Sequence, residues 1–150
     1  GTATILPEEM LRIPAGGGFN LHPSLLPAYA GVAPCFWAFA DGAAMSGTTL
    51  HVMTRQVDAG PVVDQRPIPL DSEASVLGFM LKAAHENNDM LLRAYRSGFA
   101  VDAAWLQDDA RRTYRGHPRR DVLRRMHRRG KHSLLWSDVR QVIRQCAEIA

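Results

Sequence analysis

Only two of the 150 residues are cysteine, Cys35 and Cys146. They lie far apart and form no C-x-x-C pair, so the sequence reads as two free thiols in a cytoplasmic protein rather than a disulfide scaffold. No apolar run approaches the roughly 20 residues that cross a bilayer, so neither a membrane span nor a membrane partner is expected. The opening segment Gly1-Thr2-Ala3-Thr4-Ile5-Leu6-Pro7 has no basic stretch followed by a long apolar one, and no secretory signal is visible. An initiating Met is missing as well, which leads us to expect a fragment or a processed product. Lysine is scarce: 2 of the 18 basic residues are Lys and 16 are Arg. A GC-rich genome produces that bias as readily as function does.

What remains is a chain that is 46% hydrophobic and 22% charged, a balance suited to a soluble globular protein able to bury a real core. The small net charge of +3 conceals a polarity. Residues 1–110 carry 6 Lys+Arg against 12 Asp+Glu, while residues 111–150 carry 12 against 3. The division suggests a principal domain over 1–110 and a basic helical tail over 111–150. A basic tail attracts polyanions such as tRNA, but charge alone does not choose nucleic acid over solvent.

Pro7 to Ile13 reads as a short helix with Glu8 and Glu9 at its positive end. Pro14 stops it, and Gly16-Gly17-Gly18 leads into a short strand over 19–22. Pro23 and Pro27 bracket a loop that cannot continue a sheet ladder. Ala33 to Phe39 reads as a buried helix ending near Asp41-Gly42, with Phe36, Trp37 and Phe39 as core. Gly47 to Met53 is a strand with Thr49, His51 and Met53 on one face. Pro61 to Leu70 is a second strand, placed at a sheet edge by Pro67 and Pro69. The clearest helix runs from about Ser72 to Arg96, capped by Asp71 or Ser72 and ended by Gly98. A basic helix is expected from about Pro118 to Gly130, and a final one, capped by Ser137 or Asp138, to Ala150. Strands alternating with helices imply an α/β fold. Three strands are too few for a doubly wound sheet, and a missing N-terminal part is the simplest account.

Chemistry concentrates in Asn20, His22 and Asp58. Asn20 and His22 are two apart, so on a strand both leave the same face, near the end where open α/β sheets bind ligands. An amide donor and a protonated imidazole can stabilise an oxyanion, and a carboxylate beside the imidazole can orient it and take a proton. No side-chain nucleophile is needed if the substrate brings an amine. His51 reads as a core or edge-strand residue. A two-His, one-carboxylate metal site from His22, His51 and Asp58 is a weaker alternative, and no metal is expected. His117, His127 and His132 sit among arginines on what reads as a solvated face. Gly16-Gly17-Gly18 lacks the strand and helix that a phosphate loop requires.

The ordered set Phe19-Asn20-Leu21-His22-Pro23-Ser24-Leu25-Leu26-Pro27, then Gly31, Pro34, Trp37, Gly42, Gly47-Thr48-Thr49-Leu50-His51 and Asp58-Ala59-Gly60-Pro61-Val62-Val63-Asp64-Gln65 resembles the folate-dependent formyltransferases. The similarity covers about residues 5–96. It implies a Rossmann-like α/β formyltransferase fold, here lacking its first strands. It further implies transfer of a formyl group from 10-formyltetrahydrofolate to an amine on a small molecule, a sugar nucleotide or a tRNA. On that resemblance Asn20, His22 and Asp58 match the catalytic trio. Ile5, Leu6 and Val57 border the pterin pocket, and Ser24, Leu25, Leu26 and Pro27 lie near the folate tail. An incomplete sheet also admits an alternative, a module that binds folate or a polyanion without turnover. It would suit a homodimer or a complementing subunit.

Overall fold

The computed structural model describes residues 6–14, 17–70, 75–101 and 103–149. Helix α1 (Glu8–Leu11) precedes strand β1 (Phe19–His22), the two-residue β2 (Ala30–Gly31) and helix α2 (Pro34–Asp41). Strands β3 (Met45–Val52) and β4 (Val62–Pro69) follow, then the long helix α3 (Val76–Arg96). Strand β5 (Tyr114–Arg115), α4 (Arg120–Arg128) and α5 (Trp136–Ile149) complete the order.

The main sheet has the order β1-β3-β4, and both pairings are antiparallel. The picture of ligand-binding ends on an open parallel sheet therefore needs correction for these three strands. β3 and β4 form a hairpin, whose adjacent strands run antiparallel by construction. β3 lies in the middle with every residue from Ser46 to His51 buried, as a β-branched central strand should. β4 occupies an edge, where Pro67 and Pro69 cost no ladder bonds on the open side. β2 pairs in parallel with β5, an element absent from the sequence expectation, and Ser75 makes an isolated parallel bridge to His132.

Two clusters form the core. Phe39 of α2 meets Phe79 of α3 edge to face, with centroids 6.3 Å apart, and Ile68, Leu70, Val122 and Met126 pack around them. Val122 and Met126 are four apart on α4, so one face of this Arg-rich helix enters the same core as α2 and α3. The second cluster joins Leu50 to Met90 and Ala94, with Phe19 and Phe99 tilted together at 4.8 Å.

Helix ends differ from expectation in instructive ways. Ser75, in extended conformation, caps α3 by accepting from Gly78 N at 2.9 Å. Asp71, Ser72 and Glu73 lie outside the described residues. Asp138 is not a cap but the third residue of α5, and its carboxylate reaches back to Leu135 N at 2.7 Å. It also accepts from Ser75 Oγ at 2.6 Å, tying the starts of α3 and α5 together. No helix among the described residues is long and apolar enough to cross a membrane.

Candidate active site

Antiparallel register brings the chemistry together. Asn20 lies directly opposite His51, and His22 opposite Thr49. Directly opposed residues share a face, so Asn20, His22 and His51 all project to one side. Pro23 then ends β1, leaving His22 as its last residue.

Asp58 comes from the β3–β4 hairpin loop and adopts a left-handed φ of 52°. The loop is held tightly. A Cβ on Gly60 would lie 1.8 Å from Val52 O, so only glycine lets the loop close against β3. From the opposite side Gln107 Nε2 donates to Asp58 O at 3.1 Å and to Gly60 O at 2.7 Å, and Arg112 donates to the carbonyls of Val57 and Asp58.

Four groups converge on the Asp58 carboxylate. Oδ2 accepts from Gly31 N at 2.8 Å and faces His22 Nδ1 at 3.5 Å. Oδ1 faces His51 Nε2 at 3.6 Å and Asn20 Nδ2 at 3.5 Å. Asn20 Nδ2 also lies 3.2 Å from His51 Nε2. The outer nitrogens are anchored on backbone carbonyls: His22 Nε2 on Tyr29 O at 2.9 Å and His51 Nδ1 on Val52 O at 3.0 Å. Gly31 thus has a second reason to be glycine besides its φ of 98°, since a Cβ there would sit 2.3 Å from Arg115 O across the β2–β5 pair.

Burial sets the electrostatics. Desolvation pushes the His22 pKa below its usual 6.5, with the neighbouring Asp58 charge and the Tyr29 hydrogen bond opposing it. For Asp58 burial pushes upward, but His51, the His22 charge and the Gly31 N–H together outweigh it and hold the carboxyl below 3.8. Asp58 is therefore an ionised base at neutral pH. Cys35 is buried and its thiol is pushed up to about 12, which removes it as a nucleophile.

The polar cluster stands in a cleft of about 470 Å³. Leu6, Leu21, Val32, Pro34, Met53 and Val57 give the cleft an apolar wall, and Asn20, His22, His51 and Asp58 give it a reactive end. Of the residues expected at the pterin pocket, Leu6 and Val57 line this cleft, while Ile5 lies outside the described residues. Ser24, Leu25, Leu26 and Pro27 do not line this cleft. They form a support behind His22, because their backbone is drawn into the sheet's polar interior. Thr49 Oγ1 donates to Ser24 O at 2.6 Å and accepts from Leu26 N at 3.2 Å, and Gln65 Nε2 donates to Leu26 O at 2.9 Å.

The sequence reading of His51 as a core residue holds for its burial, at 2% exposure, but not for its neighbours. The signal that could have found it was the Asn20–His51 register, which no single strand reveals. His22 differs in a second respect. Its Nε2–H is used by Tyr29 O and its Nδ1 lies 3.5 Å from Asp58 Oδ2, so the neutral ring points no free donor into the cleft. Among the described residues no group of three or more His, Cys, Asp or Glu has metal-holding geometry. Of the tail's arginines, Arg112 holds the Asp58 loop, whereas Arg115 and Arg125 reach Asp41 at 3.3 and 3.5 Å and Arg129 donates to Ala40 O.

Comparison with known proteins shows the family. The sequence profile of the family described as Formyl transferase matches residues 1–95. A methionyl-tRNA formyltransferase of Roseiflexus castenholzii is 38% identical over 113 residues, covering 73% of this chain and 36% of that protein. The N-formyltransferase of Helicobacter canadensis, solved with folinic acid and dTDP-3-aminofucose, superposes with a TM-score of 0.63 at 18% identity. That match covers 77% of this chain and 50% of the other. PseJ of Anoxybacillus kamchatkensis, solved with UDP-4,6-dideoxy-4-formamido-L-AltNAc and tetrahydrofolate, gives 0.61 at 22% identity, over 75% and 59% of the two chains. The chain spans about a third of the length of the methionyl-tRNA formyltransferase that it matches. On the extent of the profile match over the segment that carries β1, the Asp58 loop and most of α3, the chain belongs to the formyl transferase family.

Proposed function

We propose that this chain supplies the reactive centre for moving a formyl group from 10-formyltetrahydrofolate to an amine. The observation that carries the reading is an ionised Asp58 surrounded by Asn20, His22 and His51 at the polar end of an apolar cleft. The apolar wall suits the flat pterin ring system, and the polar end suits the formyl group and the incoming amine.

In the reaction the amine nitrogen adds to the formyl carbon and a tetrahedral oxyanion forms. The Asn20 amide donates to that oxyanion, a contact worth about 3–4 kcal/mol in comparable sites. Asp58 accepts the proton that the amine loses as its C–N bond forms. The bond from the formyl carbon to N10 then breaks, and the proton passes to the leaving nitrogen, so charge and atoms balance. His22, held by Tyr29 O with Nδ1 3.5 Å from Asp58 Oδ2, has a hydrogen to give the carboxylate only when protonated, and the proton taken from the amine can be shared between the two. The acceptor is an amine on a sugar nucleotide, a tRNA or another small molecule.

Formyl transfer to a panel of such amines tests this reading, with Asn20→Ala, His22→Ala and Asp58→Ala beside the unaltered chain. Equal rates for all four overturn it. The apolar wall of the same cleft supports a second reading, folate binding without turnover. Calorimetry with a folate analogue separates the two: heat of binding with no transfer supports the module, and turnover rejects it.

A further inference from the structure

The two imidazoles are anchored alike, and the anchoring has a consequence for Asn20. A backbone carbonyl only accepts hydrogen bonds, so the nitrogen resting on it carries a hydrogen in the neutral ring as well as the charged one. For His51 that nitrogen is Nδ1, bound to Val52 O at 3.0 Å. Nε2 is thus the one position on the ring where a proton comes or goes. In the neutral ring its lone pair faces Asn20 Nδ2 at 3.2 Å and accepts from it.

That bond determines which way the amide points. With its nitrogen turned to His51, Asn20 has one hydrogen used and one directed past Asp58 Oδ1, where 3.5 Å is the outer limit of a hydrogen bond. The second hydrogen is the one with freedom to meet an oxygen in the cleft. A ring protonated at Nε2 instead confronts the amide with another donor. The new N–H turns to Asp58 Oδ1, 3.6 Å away, and the amide loses its acceptor.

We propose that His51 is a positioning residue whose unprotonated Nε2 holds the Asn20 amide as a donor to the reacting oxygen, and that protonation of Nε2 releases it. The consequence for rate rests on the formyl-transfer reading above, whereas the hydrogen-bond arrangement does not. The charged and titratable groups facing His51 are Asp58 from the hairpin loop and His22 from β1. Arg112, which holds the Asp58 backbone from the segment before β5, adds an opposing positive charge to the site.

The test combines spectroscopy with kinetics. Long-range 1H–15N spectra of the whole chain should show neutral His51 with hydrogen on Nδ1 and none on Nε2. The Asn20 side-chain amide signals should shift in step with the His51 ring as pH is lowered. His51→Gln keeps an acceptor oxygen near the Nε2 position and should uncouple those signals from ring protonation. In formyl transfer, His51→Leu should lower kcat by about 10- to 100-fold with KM nearly unchanged, less than removal of an oxyanion donor outright. His51→Gln should recover most of that loss. A neutral ring with hydrogen on Nε2, or Asn20 signals that ignore the His51 titration, overturns the proposal. Equal kcat for His51→Gln and His51→Leu overturns it too. Absence of transfer by the unaltered chain rejects the functional reading instead, and the spectra still decide the role of His51.

Discussion

Replacing Asp58 separates its chemical from its structural contribution, because two substitutions do so differently. The carboxylate side chain is 9% exposed and accepts from Gly31 N at 2.8 Å. Asp58→Ala leaves that N–H without an acceptor. A hydrogen bond to a charged group contributes about 1.5–3 kcal/mol, and a stranded buried donor costs about 1–3 kcal/mol. We therefore expect Asp58→Ala to lose about 2–4 kcal/mol of stability. Asp58→Asn retains a carbonyl oxygen for Gly31 N and should lose less than half as much. The rate effect runs differently, since neither variant has a base. Removing a positioned base lowers rate by about 10²- to 10⁴-fold, and both substitutions should fall in that range. Urea unfolding measures the first quantity and single-turnover formyl transfer the second. Asp58→Asn turning over at the unaltered rate would refute the base assignment. Equal stability losses for Asn and Ala would refute the weight given to the Gly31 bond.

Three further outcomes follow from named contacts. Gly60→Ala drives a Cβ into Val52 O, a backbone atom that cannot swing aside, so the loop must shift. A loss of about 1–3 kcal/mol in thermal unfolding, together with a changed Gly31 amide signal, is expected, and an unchanged signal counts against the packing. Phe79→Ala empties a site that is 0% exposed and removes the edge contact to Phe39. Such truncations cost about 3–5 kcal/mol, and a measured loss below about 1 kcal/mol would contradict the described core. His22 has its pKa lowered on folding, so the unfolded chain binds the proton more readily. Stability should be at its full value above pH 6.5 and fall as pH drops below it. The lowered carboxyl of Asp58 acts in the same direction below 3.8. His22→Gln should flatten the first slope, and an unaltered slope in urea unfolding at several pH values would show that the titrating group is another.

Local chemistry made most elements legible. Helical spacing in α3, the β-branched run of β3, and the prolines that end β1 and mark β4 as an edge are properties of neighbours in sequence. The site was legible to the same depth. Asn20 and His22 are two apart and so share a face on any strand, and an Asp-Ala-Gly-Pro turn is a loop in any fold. Cap positions were less legible, since Ser75 and the nearby Asp71 and Ser72 are equally able to accept from a helix start.

The amino-acid sequence by itself determined which side chains are available and which of them share a strand face. It determined that Asp58 rides on a tight loop, and the motif order was enough to point to the family. Tertiary structure decided what those groups do to one another. Register set Asn20 against His51, and a one-residue slip would have turned His51 to the opposite face. Packing of the segment before β5 closed the loop through Gln107 and Arg112, some fifty residues away in the chain. Hydrogen bonds and neighbouring charges then held Asp58 ionised against its burial, and backbone carbonyls set the direction of each imidazole, because such partners act only on groups already folded into place. Side-chain identity is one-dimensional information, whereas hydrogen-bond direction and local dielectric exist only once distant segments meet.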